Sequence, residues 1–252
     1  MRYSTKLFLI TAAIALPLAA QPPGGRRGGP PVAPKAAAPI DLSGYWVSMV
    51  TEDWRYRMVT PAPGDFQGVP MTPAAIKFAE AWDPAKDEAS GEQCKSYGAP
   101  AILRVPEHLH INWQDDQTLR METDAGKQTR LFHFGDWKAP AGEDSGPTLQ
   151  GDSVAQWETQ REGGRPVGGS LKVTTSHLKA GYLRKNGVPY SENASLTEYY
   201  DLVHERNGDQ LMVVTIVVTD PIYLREPFII SSHFKKQSDD SGWKPSECSA
   251  RW

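Results

Sequence analysis

Apolar and polar positions alternate two by two along most of the chain after Asp41, which is the signature of strands with one buried face. His108 to Trp113, Leu119 to Thr123 and Lys127 to Phe134 form one alternating set, with Asp124-Ala125-Gly126 as a hairpin turn that places Gly in the left-handed position. Further strands are expected over Ser153 to Thr159, Leu171 to His177, Ser195 to Glu205, Gln210 to Thr219 and Pro227 to Lys235. Asn207-Gly208 joins two of these as a tight hairpin. Leu211 to Val218 is apolar at both parities, which predicts a central strand covered on each side. Gly44 to Val50 and Trp54 to Val59 are aromatic and β-branched runs that also read as strands. One helix stands out: Thr72 caps it, Pro73 takes its first position, Ala75, Ile76, Phe78, Ala79 and Trp82 form its apolar face, and Pro84 ends it. Asp83 to Gly98 reads as polar loop. The expected fold is therefore all-β with one short helix, an antiparallel barrel or strongly curved sheet of about ten strands.

The first forty residues follow other rules. Arg2 and Lys6 precede an apolar stretch from Leu7 to Leu18, and Leu18-Ala19-Ala20 offers small residues for cleavage, so residues 1–20 are expected to be an export signal. The stretch is too short for a spanning helix, and no cysteine stands at the cleavage point to carry a lipid anchor. Residues 21–40 are rich in Pro and Gly with little to bury, which predicts a disordered tether. Residues 41–252 then form one domain.

Charge matters only once the leading segment is set aside. The chain holds 27 basic and 30 acidic residues. Arg2, Lys6, Arg26, Arg27 and Lys35 all precede Asp41 and no acid does, leaving 27 − 5 = 22 bases against 30 acids, a net −8 for the domain. Without a basic stripe, nucleic acid and anionic membrane surfaces are poor partners. Cys94 and Cys248 are the two cysteines of a chain expected outside the cytoplasm, so a disulfide between them is expected, with a periplasmic or secreted location.

Leu42-Ser43-Gly44-Tyr45-Trp46, at the head of the first strand, resembles the G-x-W signature of lipocalins and related calycin barrels. That resemblance implies an up-and-down barrel whose Trp plugs the closed end and whose open end takes a small ligand. The early helix and the longer domain depart from standard lipocalins. A wider resemblance, to a group of uncharacterised exported bacterial proteins, rests on Asp41 to Trp46, Thr51 to Met58, Gly91 to Lys95, Glu122 to Gly126 and Tyr182 to Tyr190. It implies export and fold, and assigns no activity.

Three clusters carry candidate chemistry. On a strand His108, His110 and Asn112 share one face, and the register that keeps apolar residues together sets His110 opposite Glu122. A carboxylate there orients an imidazole for acid–base work, and the alternative is a solvated polar face. His108, His110 and His133 also have the spacing of a tri-histidine zinc site, as in α-carbonic anhydrases, although the expected turn sends His133 to the other face. Arg55 and Arg57, read on a strand beside Glu52 and Asp53, can grip a carboxylate or enolate, or form a charged outer face. His177, Tyr182, Arg184 and Tyr190 lie in a loop-rich stretch at one barrel rim, ahead of Glu198, Tyr199 and Tyr200. There is no G-x-S-x-G elbow, phosphate loop, dinucleotide glycine pattern, H-E-x-x-H or C-x-x-C, so no cofactor is expected.

The leading expectation is a barrel that binds a small, partly apolar organic molecule in its open end. The second is a cofactor-free lyase, isomerase or hydrolase on the same scaffold, with His110, Glu122 and His177 as catalytic groups and Arg55, Arg57, Tyr182, Arg184 and Tyr190 as ligand contacts. The third is a structural envelope protein. Nothing in the sequence fixes the oligomeric state.

Overall fold

A computed structural model describes residues 32–139 and 145–251. The expected signal at 1–20, and the tether as far as residue 31, lie outside the described residues. Nine strands close into a barrel in the order β1 (Gly44–Met49), β11 (Phe228–Lys236), β10 (Gln210–Thr219), β9 (Ser195–His204), β6 (Arg165–Ser176), β5 (Asp152–Glu162), β4 (Thr129–Phe134), β3 (Thr118–Thr123) and β2 (His108–Trp113). A small hairpin, β7 (Gly181–Arg184) with β8 (Val188–Tyr190), stands apart from it. Every barrel pairing is antiparallel except β4 with β5, which run parallel over Phe132↔Ser153, His133↔Val154 and Phe134↔Ala155. An odd number of strands cannot close with antiparallel neighbours alone, so one parallel seam is obligatory. The end of β4 and the start of β5 therefore lie at opposite ends of the barrel.

Closure gives each strand one inner face, and alternation does the rest. Leu109 and Ile111 of β2, Leu119 and Met121 of β3, Phe132 and Phe134 of β4, Leu171 and Val173 of β6, and Phe234 of β11 are all buried. In β10 Met212, Val214, Ile216 and Val218 point inward, while Val213, Thr215 and Val217 are only half-buried on the outer face. The expectation that β10 is covered on both sides is thus corrected, because a barrel has a single interior. The predicted register between β2 and β3 is present: Leu109↔Thr123, His110↔Glu122, Ile111↔Met121, Asn112↔Arg120 and Trp113↔Leu119.

Call the end where β1 starts the lower end. Trp46 is fully buried in the first strand, its Nε1 donating to Leu42 O at 2.9 Å and Lys236 Nζ lying 4.9 Å from its ring. The segment preceding β1 packs at this end. The Trp157 indole donates to Pro34 O at 2.9 Å, and the Lys35 N–H to Asp116 O at 3.2 Å. Folded structure therefore begins ahead of Asp41, since these backbone groups find partners on the barrel.

The upper end carries a roof built from residues 50–107 and 177–194. Three short helices occur rather than one: α1 (Trp54–Arg57), α2 (Pro73–Glu80) and α3 (Pro84–Ala89). In α2 the Thr72 Oγ1 accepts from the Ala75 N–H at 3.2 Å, as the cap predicts. In α3, Asp83 caps through Ala85 N–H and Pro84 takes the first position. That start signal repeats the one before α2, but the polar composition of the segment masks it. The strand expected over Trp54 to Val59 is instead α1, entered through Asp53 at φ 49°. One strand partner is lacking: β1 already pairs with β11 and β2 on both edges, so the next run has no open edge to join.

The chain leaves β11 at the lower end and returns along the outside. Trp243 meets Tyr45 and His110, the Lys244 and Ser246 N–H groups bond Asp124, and Cys248 joins Cys94 in a disulfide. The expected bridge thereby ties a C-terminal strap to the roof.

Candidate functional site

The roof brings four cations around one cleft of about 20 Å³, lined by Tyr56, Arg57, Arg104, Leu183, Arg184 and Lys185, with Ala101 and Val105 beneath. Three elements supply them. α1 contributes Tyr56 and Arg57, a 3-10 turn over Ile102–Arg104 contributes Arg104, and the end of β7 contributes Arg184 with Lys185 following in the turn. The guanidinium side chains are almost wholly removed from solvent, with Arg57 2%, Arg104 5% and Arg184 4% exposed.

Each cation is anchored by only part of its donor set. Arg57 Nε donates to Arg104 O at 2.9 Å and Nη1 bonds Glu52. Arg104 Nη1 meets Asp53 Oδ2 at 3.0 Å. Arg184 Nη1 donates to Gln67 O at 2.8 Å, and its Cζ lies 4.3 Å from the centre of the Tyr56 ring. Among the described residues no carboxylate comes within ion-pair distance of Arg184. Arg57 Nη2, Arg104 Nη2 and Arg184 Nε are buried donors without a protein acceptor. Burial and the neighbouring Arg104 push Arg184 down to about 10. Burial also lowers Arg57 and Arg104, with Glu52 and Asp53 opposing. All three nevertheless remain cationic at neutral pH. Buried donors are normally satisfied, and a buried charge is normally paired. Three guanidinium donors without a protein acceptor thus belong to residues that line one cleft, and such a set of residues is complementary to an anion.

Glu107, just ahead of β2, is buried in the same roof segment as Arg104, and neither carboxylate oxygen is hydrogen-bonded. Burial, then Asp124, raises its pKa far above the usual carboxylate range, against the pull of Arg57, Arg130 and Lys185. Lys185 is pushed down to about 8 by burial, and its Nζ is 2.7 Å from the Tyr97 hydroxyl. Deeper still, inside the lumen, Arg130 makes a two-pronged bond to Glu198, Nη1 to Oε1 at 2.7 Å and Nη2 to Oε2 at 2.5 Å, with both side chains at 0% exposure. Tyr200 donates to the same carboxylate at 3.1 Å. Glu198 and Tyr200, read from the sequence as rim groups, thus belong to the barrel core.

No known protein family, curated protein or solved structure matches this chain. Function has to be read from the site alone.

Of the residues singled out in the sequence, the cleft gathers Arg57 and Arg184. Arg55 points away and pairs with Asp65 at 3.0 Å in an exposed position, because a helical turn, unlike a strand, sends residues two apart to different sides. Tyr182 is buried with its hydroxyl on Asp87, at 2.9 and 3.1 Å. Tyr190 is buried against Gly98 and Gly181, its hydroxyl without a partner. His110 Nδ1 does lie 3.3 Å from Glu122 Oε2, but on the outer face of the barrel, stacked on Tyr45 at 4.3 Å and edged by Trp243 of the strap. His177, at φ 57°, bonds Asp152 at 2.9 Å where β6 ends. Of the expected catalytic groups His110 and Glu122 thus meet, whereas His177 and the expected ligand contact Arg55 find their partners elsewhere. His133 faces outward rather than away from His110, because the buried face of β4 starts at Arg130. It pairs with Thr118, four rungs along the ladder from the His110–Glu122–Thr129 row, and stacks on Trp137 at 4.0 Å. Arg104 was missed as a cleft residue, and Glu107 as a buried acid. The only hint was two charged residues flanking Val105-Pro106, a segment too short to show periodicity.

Proposed function

We propose that this protein is an exported calycin-like barrel that binds a small organic anion, with the anionic head held in the roof cleft by Arg57, Arg104 and Arg184. The observation that carries the reading is that three buried arginines lining one cleft each keep a guanidinium donor without a protein acceptor. A cleft of about 20 Å³ holds little more than one water-sized group. It has room for only part of a ligand, so in this reading the anionic head sits there and the rest extends past the half-buried Tyr56 toward solvent. This keeps the expectation of a small, partly apolar ligand and moves its polar end from the barrel mouth into the roof. Export fits the Cys94–Cys248 disulfide, which persists in oxidising compartments. No helix among the described residues is long and apolar enough to cross a membrane.

The test is a thermal-shift and calorimetric titration of the full chain with benzoate, hexanoate and inorganic phosphate, with benzamide and hexanol as neutral controls. The anions are expected to raise Tm and the controls are not. Arg184→Gln is expected to weaken anion binding at least tenfold. Equal shifts from benzoate and benzamide, or undiminished binding by Arg184→Gln, sink the reading.

A further inference from the structure

Four histidines among the described residues meet a carboxylate through Nδ1, and one of these pairs is built differently from the rest. His177 and Asp152 are both open to solvent, with side chains 42% and 29% exposed. His233 Nδ1 is shared between Glu52 Oε2 at 3.1 Å and Thr51 Oγ1 at 2.8 Å. His110 is stacked on Tyr45 and edged by Trp243. His108 has a firmer partner: its Nδ1 lies 2.8 Å from Asp124 Oδ2, and its backbone N–H donates to Oδ1 of the same carboxylate at 2.8 Å. Asp124 is buried and also accepts the Lys244 N–H of the strap at 3.3 Å. Strand, turn and strap thus fix one carboxylate, and that carboxylate fixes one imidazole. An ionised carboxylate only accepts, so the Nδ1 proton points at Asp124 and Nε2 keeps its lone pair. Nε2 has no hydrogen-bond partner among the described residues, and the His108 side chain is still 28% exposed. It borders a cavity of about 340 Å³, whose other lining residues include Val47, Asp124, Ala125, Lys244 and Ser246. None of the residues lining this cavity belongs to the arginine cleft. The strap runs close by, since a Cβ at Gly242 would lie 2.8 Å from His108 Nε2. Gly242 is outside the left-handed region, so its missing side chain serves the ring and not the backbone.

We propose that the strap cavity is a second site, independent of the arginine cleft, in which His108 is the general base for hydrolysis of a small uncharged ester. Nε2 takes a proton from water as the water oxygen bonds to the acyl carbon. The acyl–oxygen bond of the ester then breaks, and the departing alkoxide takes the proton back from His108. The products are a carboxylic acid and an alcohol, and no oxidant, reductant or cofactor enters. Lys244, which lines the cavity, brings positive charge to the side where the carbonyl oxygen becomes an oxyanion. Asp124 is a positioning residue: it holds the imidazole in the tautomer that leaves Nε2 basic. A volume of about 340 Å³ is at the low end for ligand pockets, which selects a short ester. An ester suits the site better than an amide, because an alkoxide leaves with less help from an acid than an amine does.

The experiment follows para-nitrophenyl acetate hydrolysis by the full chain at neutral pH, with the disulfide intact. The wild type is expected to saturate and to turn over repeatedly. His108→Ala is expected to lower kcat/KM at least about a hundredfold, within the range of about 10²–10⁴ that a general base contributes. Imidazole added to His108→Ala is expected to restore part of the lost rate, which a folding defect would not allow. Asp124→Asn is expected to lower kcat at least about tenfold while KM stays nearly constant, as loss of an orienting carboxylate requires. Gly242→Ala removes no charge but displaces the ring, and a misplaced base is expected to cost about tenfold in kcat. His204→Gln, at an exposed histidine, is expected to keep the full rate and controls for surface imidazoles. Release of no more than one nitrophenolate per chain by the wild type overturns the proposal. So does a rate within about twofold of wild type in His108→Ala or Gly242→Ala. A loss in His108→Ala that imidazole does not restore overturns it as well, by marking the effect as structural.

Discussion

Glu198 and Arg130 give the sharpest test of how the barrel interior is held. Both side chains are fully removed from water and joined by two parallel hydrogen bonds, with Tyr200 donating to the carboxylate and Thr175 accepting from Arg130 at 3.2 Å. Burial alone disfavours the guanidinium, but Glu198 and Tyr200 more than offset it, so the Arg130 pKa is raised rather than lowered. Glu198→Gln keeps the shape and removes the charge, leaving a buried guanidinium with no counter-ion. Breaking one half of a buried pair costs about 3–5 kcal/mol. For a domain of this size each kcal/mol moves Tm by about 2–4 °C, so a fall of roughly 6–20 °C is expected. Arg130→Met is expected to cost a similar amount, since it leaves the carboxylate alone. The double variant Arg130→Met/Glu198→Gln has no stranded charge, and Gln still accepts from Tyr200. Its loss is expected to fall short of the sum of the singles by at least about 2 kcal/mol. Urea denaturation at pH 7 with the disulfide intact reads all four proteins. Additive losses, or single losses below about 1 kcal/mol, would refute the claim that this pair is energetically coupled in a low-dielectric core.

Other outcomes follow from the same structure. Cys94→Ser/Cys248→Ser is expected to lose up to ~5 kcal/mol, because the bridge closes a separation of 154 residues, and to expose the strap to proteolysis near Trp243. Gly187→Ala is expected to cost about 1–3 kcal/mol, since a Cβ there at φ +82° meets Trp82 at 2.4 Å. It should also weaken benzoate binding by displacing Arg184. Glu107→Gln is expected to stabilise the free protein by an amount that grows as pH rises above the ordinary Glu value. The folded-state pKa of Glu107 is raised, so in the wild type stability is lost as the unfolded chain ionises and the folded one does not. A chemical-denaturation series from pH 4 to 8 reads the divergence, and parallel curves for the two proteins rule it out.

Most of the barrel was legible because period-2 alternation maps directly onto an inner and an outer face. The β2–β3 register followed from keeping Leu109, Ile111, Leu119 and Met121 together, and Thr72-Pro73 announced α2. The misreadings come from local pattern taken alone. Read locally, the Asp124–Gly126 turn sends His133 to the face away from His110, whereas Arg130, paired with Glu198 in the lumen, sets the buried parity of β4 and turns His133 outward. Arg57 is carried inward by a helical turn, so the run from Trp54 to Val59 was misread as a strand with charges outside. The cleft itself joins residues 57, 104 and 184, from three roof segments with no strand periodicity. Their convergence depends on how the roof folds over the barrel end, and local pattern holds no trace of that.

The parallel seam between β4 and β5 has a consequence for how the barrel opens. Its register covers three residue pairs, whereas β5 with β6 and β9 with β10 run for ten or more. A cylinder sewn shut along one short seam behaves as a curled sheet with a weak edge. Amide exchange should find β4 and the start of β5 unzipping well before the β9–β10–β11 wall lets go. Because Arg130 stands on the β4 side of that seam and Glu198 on the far wall, the buried ion pair spans the gap as a clasp. A tear there would bring water to two charges that the closed barrel keeps dry.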